Sequence, residues 1–325
     1  MLSRNLVDIK ENDIINYDEE LLLILLKDHS SNKNIIWATD NYMNYGDEYK
    51  GNKEIKEHLI SGDRGNIIQP RSKRTENEQQ IRVKDKAEVF TPSWLCNKQN
   101  NIIDNAWFCS EAMFNIETNK GWISQSNRII FPTKNKKKWK DYVQDVRMEI
   151  SCGEAPYLVS RYDTITGKFI SISDRIGLLD RKLRVVSENN TTISEWYHWS
   201  KIAFQSTYGY EWQGDNLLLA RENLLFTFID YYKDQFNKTP DVIKMREIAT
   251  IISWNTWQMD GLKGVIPNSC SDKENVTKNL FEEDEITIQP CEGCLKNDIH
   301  KHNGIYCIIK DWKKEKVIKF VSLLK

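Results

Sequence analysis

The sequence predicts an α/β protein built on a mainly parallel sheet. Short strand-like runs alternate with longer helical patterns through the middle of the chain. Leu217, Leu218, Arg221, Leu224, Leu225, Phe228, Ile229 and Tyr232 trace a helix with a broad apolar face, and Asp215 is its expected N-cap. Three expected strand ends carry small or polar residues: Cys152-Gly153-Glu154, Tyr210-Glu211 and Met259-Asp260. Sheets of this class bind ligands at the C-terminal ends of their strands.

The 325 residues suffice for one large domain or two ordinary ones. We divide them into an N-terminal mixed segment (1–80), a ligand-binding domain (81–270) and a Cys/His segment with the start of a further strand (271–325). Asp18, Glu19 and Glu20 precede Leu21–Leu26, the order expected at a helix N-terminus. Residues 34–38 form an expected strand, and the polar stretch 62–80 an expected linker. Pro92 and Ser93 open a helix carrying Trp94, Leu95, Ile102 and Ile103. Val146–Ile150 is a strand entering a tight turn at Cys152-Gly153, and Tyr157 to Ser160 could open a helix. Ser206–Glu211 forms the next strand, and Ile248–Asp260 holds a helix end, a short strand and an Asp-Gly turn. The long spacing between Gly153 and Glu211 implies an insertion near 171–199, and no internal repeat is evident.

Composition narrows the function classes. Hydrophobic residues at 40% and charged residues at 29% describe a folded, soluble chain. No apolar run reaches membrane-spanning length, Leu21–Leu26 included, and no apolar core follows Met1–Lys10 as a signal peptide requires. Seven unevenly spaced cysteines do not form a disulfide framework, so a reducing cytoplasm is expected. A formal charge of −1 argues against unaided gripping of duplex DNA, which depends on phosphate neutralisation. Two basic clusters exist: Lys134, Lys136, Lys137, Lys138 and Lys140 around Trp139, and Arg71, Lys73 and Arg74. Each has a plain alternative as a solvated loop.

Cys291-x2-Cys294 followed by His300, His302 and Cys307 has the spacing of a tetrahedral structural zinc site. Cys291, Cys294, Cys307 and His302 are the expected ligands, with His300 and Cys270 as alternatives for the fourth. Thiolate and imidazole donors suit zinc over harder metals. Such a knuckle would serve stability or partner docking. His29, His58 and His198 show no partners in the sequence.

Several segments resemble the amino-group DNA methyltransferases, specifically the adenine-modifying methylase subunits of restriction–modification systems. Phe90-Thr91-Pro92 resembles the family's F-T-P segment, which covers S-adenosylmethionine. Glu149-Ile-Ser-Cys-Gly-Glu-Ala-Pro-Tyr-Leu resembles the loop D-P-A-C-G-S-G-x-F-L; Cys152, Gly153, Tyr157 and Leu158 match, whereas Glu149 replaces Asp and Ala155 replaces the second Gly. Tyr208-Gly-Tyr-Glu211, followed by Ala220-Arg-Glu-Asn-Leu224, resembles Y-G-x-[DE] and its A-R-x-N-L helix. The resemblance implies a Rossmann-like sheet and a cofactor site of Phe90, Thr91, Pro92, Cys152, Gly153, Glu154, Glu211, Trp212 and Asp260. Glu211 would accept both ribose hydroxyls, Trp212 would pack on the adenine, and Asp260 would take the exocyclic amine or be a simple turn acid.

The family's catalytic [DNS]-P-P-[YFW] loop has no counterpart, because no two of the seven prolines are adjacent. No catalytic residue is therefore assigned to this chain. The expectation is a split adenine-N6 methyltransferase acting on flipped-out bases in DNA, whose catalytic loop lies on a second polypeptide. The alternative is a non-catalytic scaffold or DNA-recognition subunit of a restriction–modification complex. A nuclease subunit ranks last, since no persuasive P-D…(D/E)-x-K pattern occurs.

Overall fold

Helices make up more of the chain than strands do. In the computed structural model these are α1 (Glu11–Tyr17), α2 (Glu19–Leu26), α3 (Glu57–Ile60), α4 (Glu76–Lys86), α5 (Ser93–Phe108), α6 (Trp139–Gln144), α7 (Leu178–Asn189), α8 (Ile193–Gln205), α9 (Gly214–Phe236), α10 (Val242–Asn255) and α11 (Glu292–Lys296). The strands are β1 (Asn115–Thr118), β2 (Gly121–Ser124), β3 (Arg147–Ile150), β4 (Thr207–Glu211), β5 (Thr256–Gln258), β6 (Lys273–Thr277), β7 (Glu285–Gln289), β8 (Ile308–Asp311) and β9 (Lys316–Lys319). The structure describes residues 11–86, 88–131, 137–277 and 285–324, with backbone only at 85, 86, 274–277 and 285–287. Lys134 and Lys136 of the lysine cluster lie outside the described residues.

Strands β3, β4 and β5 form a parallel sheet in that order, with Ile150 beside Tyr210 and Glu211 beside Gln258. Helices α7 and α8 carry the chain from β3 to β4, and α9 and α10 carry it from β4 to β5. The remaining strands pair as antiparallel hairpins, β1–β2, β6–β7 and β8–β9. The fold is thus α/β with small sheets, one of them parallel, as the alternating pattern required.

Helix α9 explains the core. Its 23 residues are buried on almost every side through the first sixteen, as expected of a helix packed around its circumference. Leu217, Leu218, Phe228 and Ile229 join α2 residues Leu21, Leu22 and Leu25 and α7 residues Leu179, Leu183 and Val186 in one apolar cluster. The N-terminal segment therefore shares the core of the parallel sheet. Its α2 is capped by Asp18, whose carboxylate accepts from Glu20 N at 3.2 Å.

Four local expectations are corrected. The N-cap of α9 is Gln213; Asp215 is the second residue of the helix, in its first turn, where Arg82 and Tyr42 hold its carboxylate at 2.7 Å. Residues 171–199 are no inserted loop, because α7 buries Leu179, Leu183 and Val186 at helical spacing. Residues 34–38 run extended but make only isolated bridges, Asn34 with Lys27 and Ile36 with Glu54. The stretch 62–80 is anchored, since Arg74 is buried in an ion pair with Glu88.

The two faces of the parallel sheet differ. Arg147 and Glu149 of β3 turn inward, whereas Met148 and Ile150 turn outward. Outward from β4 and β5, Tyr210 and Trp257 meet Phe320, and Tyr208 bonds Lys310 O at 3.3 Å beside the β8–β9 hairpin. No strand pairs with the outer edge of β3 among the described residues, and there Val146 and Ile150 are 63% and 70% exposed. Strands of parallel sheets are ordinarily covered on both faces. Among the described residues, no helix is long and apolar enough to cross a membrane.

Candidate functional site

The turn after β3 brings two strand ends together. Ser151, Gly153 and Ala155 all have left-handed backbone, at φ 55°, 53° and 64°. This bends the chain so that Gly153 N donates to Glu211 Oε2 at 2.9 Å, with Ser151 Oγ 3.4 Å from the same oxygen. The other oxygen, Oε1, accepts from Gln213 N at 3.1 Å. Burial pushes the Glu211 carboxyl above its usual range, and the N–H groups of Gly153, Gln213 and Trp212 oppose that rise. Ala155 bears a left-handed penalty of about 1–2 kcal/mol that glycine would avoid.

A cavity of about 250 Å³ opens beside this turn. Phe90, Thr91, Cys152, Gly153, Tyr157 and Glu211 line it, together with Glu88, Glu149, Gln213 and Asn216. A Cβ on Gly153 would lie 3.6 Å from Phe90 Cε1, so the ring spans the turn in ordinary contact. Glu149 accepts from Tyr157 N at 3.4 Å and Leu158 N at 3.2 Å. Burial holds its carboxyl well above the usual range, and nearby Glu211 adds to the rise. Three carboxylates and no Lys, Arg or His line the cavity. Arg74 and Arg82 neutralise Glu88, and burial favours the protonated forms of Glu149 and Glu211, so the lining suits a hydroxyl-rich ligand over a phosphate.

Several expected site residues lie elsewhere. Glu154 turns away from the cavity: its carboxylate accepts from Arg71 N and Tyr162 OH, each at 2.6 Å. The Trp212 indole donates to Ala38 O at 3.2 Å and does not line the cavity. Pro92 caps α5 beyond the lining. Asp260 is a turn acid, accepting from Leu262 N at 3.0 Å and Lys263 N at 3.2 Å. The register explains this: Gln258, not Asp260, stands opposite Glu211, and the chain turns two residues later. Glu88, Glu149, Gln213 and Asn216 were missed. The available signal was position: Glu149 on the inward side of β3, Gln213 and Asn216 directly after the β4 acid.

A second site lies at the base of the β6–β7 hairpin. The ligand atoms of Cys270, Cys291, Cys294 and His302 all lie within 4.8 Å of one another. His302 Nδ1 is 3.6, 3.8 and 3.6 Å from the Sγ atoms of Cys270, Cys291 and Cys294. Zinc bonds of about 2.3 Å to sulfur and about 2.0 Å to nitrogen give a tetrahedral S···N edge of about 3.6 Å. The cluster thus has the dimensions of a metal site such as one for zinc. Asn303 N donates to Cys291 Sγ at 3.3 Å, a bond that stabilises a thiolate. Gly293 is required here, because a Cβ would sit 2.5 Å from His302 N.

The ligand set is corrected at one position. Cys307 is not in the cluster; its thiol donates to Gln258 O at 3.3 Å and packs with Trp257, Met259 and Ile266. Cys270 supplies the fourth donor, because the hairpin brings it back beside Cys291. His300 is exposed and outside the set. Asp260 shares a cavity of about 170 Å³ with Cys270, Cys291 and Cys294, so it belongs to the surroundings of this site. His29 does have partners: it stacks on Trp254 at 3.8 Å and bonds Ser253 Oγ at 2.9 Å.

No family model, curated protein or solved structure matches the chain.

Proposed function

We propose that this chain is the S-adenosylmethionine-binding part of a DNA adenine-N6 methyltransferase of a restriction–modification system, completed by a second polypeptide. The observation that carries the reading is the Glu211 carboxylate, hydrogen-bonded to Gly153 N at 2.9 Å across the ends of two adjacent parallel strands. A Rossmann-like site needs this juxtaposition of a close backbone turn and an acid for ribose hydroxyls. The carboxyl groups lining the cavity add support, because they can accept hydrogen bonds from ribose hydroxyls. When bound, the ligand supplies an electrophilic methyl group. In this reading Glu211 holds the ribose, the Cys152-Gly153 backbone lies against the nucleoside, and Phe90 and Thr91 cover it.

The second polypeptide would bring the Pro-Pro-aromatic loop and most of the DNA grip. The unpaired, apolar edge of β3 is a suitable place for it to join the sheet. The Cys270, Cys291, Cys294 and His302 cluster would hold a structural zinc, its donor set being soft and tetrahedral.

Titration of labelled S-adenosylmethionine into the purified chain tests the reading. We expect micromolar binding that Glu211→Ala abolishes. No binding, with or without a partner, would replace it by the second reading, a non-catalytic scaffold or DNA-recognition subunit. Ala155, with left-handed backbone at φ 64° where the family pattern has glycine, favours that second reading.

A further inference from the structure

We propose that Glu88 is a positioning residue, whose buried ion network holds Phe90 across the Cys152-Gly153 turn and so sets the shape of the cavity mouth. Glu88 Oε1 pairs with Arg74 Nη1 at 2.8 Å, and Oε2 pairs with Arg82 Nε at 2.7 Å. Oε2 also accepts from Gln213 Nε2 and Asn216 Nδ2, each at 3.0 Å. The two guanidinium groups are shared with a second acid: Arg82 Nη2 lies 2.7 Å and Arg74 Nη2 3.5 Å from Asp215 Oδ2. Tyr42 OH closes the set with a 2.7 Å bond to Asp215. Two cations and two anions thus balance, and none of the four charged side chains is more than 7% exposed.

Besides Tyr42 of the N-terminal segment, the network joins three parts of the chain. Arg74 and Arg82 come from the stretch around α4, Gln213, Asp215 and Asn216 from the start of α9, and Glu88 from the segment that covers the cavity. Two residues beyond Glu88, Phe90 meets the Gly153 turn on one side and the Arg71 guanidinium, 5.4 Å from its ring centroid, on the other. The far end of the segment is tied separately: Thr164 Oγ1 donates to Thr91 O at 3.1 Å, and Ser93 N donates to Asp163 Oδ2 at 2.8 Å. Residues 88–92 therefore form a strap fixed at both ends, and Glu88 is its only charged anchor. A buried ion pair that loses one partner strands the other charges, so release of Glu88 is costly and cooperative. At about 250 Å³ the cavity is smaller than those that enclose drug-sized ligands, so a nucleoside must displace the strap to enter. The ligand arm of the test below rests on the reading proposed above; the labelling arm does not.

Two thiols report on the strap. Cys96 is buried behind it, its Sγ 3.5 Å from Thr91 O, and Cys152 is a buried wall of the cavity. Cys307, buried in the other apolar cluster, serves as the reference for global opening. Labelling rates at each cysteine, followed by peptide mapping, are compared between the native chain and Glu88→Gln. We expect about tenfold faster labelling of Cys96 and Cys152 in the variant, with Cys307 unchanged. Glu88→Asp, which keeps the charge and is expected to fold, should give a smaller acceleration at the same two sites. Equal acceleration at all three cysteines, or none in either variant, would overturn the proposal. For the ligand arm, S-adenosylhomocysteine should dissociate about tenfold faster from Glu88→Gln than from the native chain. If the native chain does not bind it, the proposed function fails while the labelling arm still decides the role of Glu88.

Discussion

Glu222 and Glu11 show how much a single buried carboxyl shapes the pH behaviour of this protein. Both are almost fully buried, and none of their carboxylate oxygens has a hydrogen-bond partner among the described residues. Burial pushes Glu11 up to about 8, and it pushes Glu222 well above the usual carboxylate range, where the nearby charges of Glu11 and Asp13 add to the effect. Each folded-state value lies above the unfolded one, so the folded chain binds the extra proton. For Glu11 the associated stability is full below the unfolded value near 4.5 and is lost as pH rises through about 8, and the raised Glu222 acts in the same direction. Glu222→Gln should therefore raise Tm at pH 8 by about 2 °C, corresponding to about 1 kcal/mol, and change little at pH 5. Thermal melts across that range check the sign; a variant less stable at pH 8 would refute it.

The metal-ligand assignment is also decided at this scale. Cys270→Ser should lower bound zinc from about one per chain to well below half, whereas Cys307→Ser should leave it unchanged. Metal analysis of the two purified variants separates them. The spacing of Cys291, Cys294 and His302 was legible because C-x2-C fixes two donors on one turn. The choice between Cys270 and Cys307 was not, because it depends on the β6–β7 pairing that returns the chain to its starting point.

Among the elements, those read correctly were the ones whose local pattern and burial agree. Helix α9 carries its apolar run on its buried length. Strands β3 and β4 were legible from their ends, where Cys152-Gly153 and Glu211 follow, because their inward faces carry Arg147, Glu149 and Thr207. Helix α7 lies in the stretch expected as an insertion, yet its Asp180, Arg181 and Lys182 are all buried. Each has a partner inside: Asp180 accepts from Ser160 N at 2.7 Å, Arg181 pairs with Asp104 at 2.6 Å, and Lys182 donates to Asp145 O at 2.6 Å. Hydrophobic periodicity is blind to charges neutralised by distant partners. The same blindness hid the strap network, in which Arg74 fell within the expected linker 62–80. At the candidate site, Glu211 and Gly153 were legible because strand ends announce themselves. Glu154 and Asp260 were not separable from them without knowing which way each side chain turns.

Across the whole molecule, one apolar cluster links the N-terminal segment to the parallel sheet, while the outer side of β3 stays bare. The substitutions Met148→Lys and Ile150→Lys fall on that bare side, away from Glu211. Together they should abolish assembly with the second polypeptide while leaving S-adenosylmethionine affinity within about twofold. Co-purification and ligand titration on the same variant measure both; loss of ligand affinity with intact assembly would refute this placement of the partner.

Unpaired strand edges bearing apolar side chains invite pairing with whatever extended chain they meet. Val146, Met148 and Ile150 therefore make the solitary subunit a poor citizen of a crowded cell. If the proposed second polypeptide exists, a chain synthesised in excess of it should clump or be degraded, and quality control would then enforce the ratio of the two gene products.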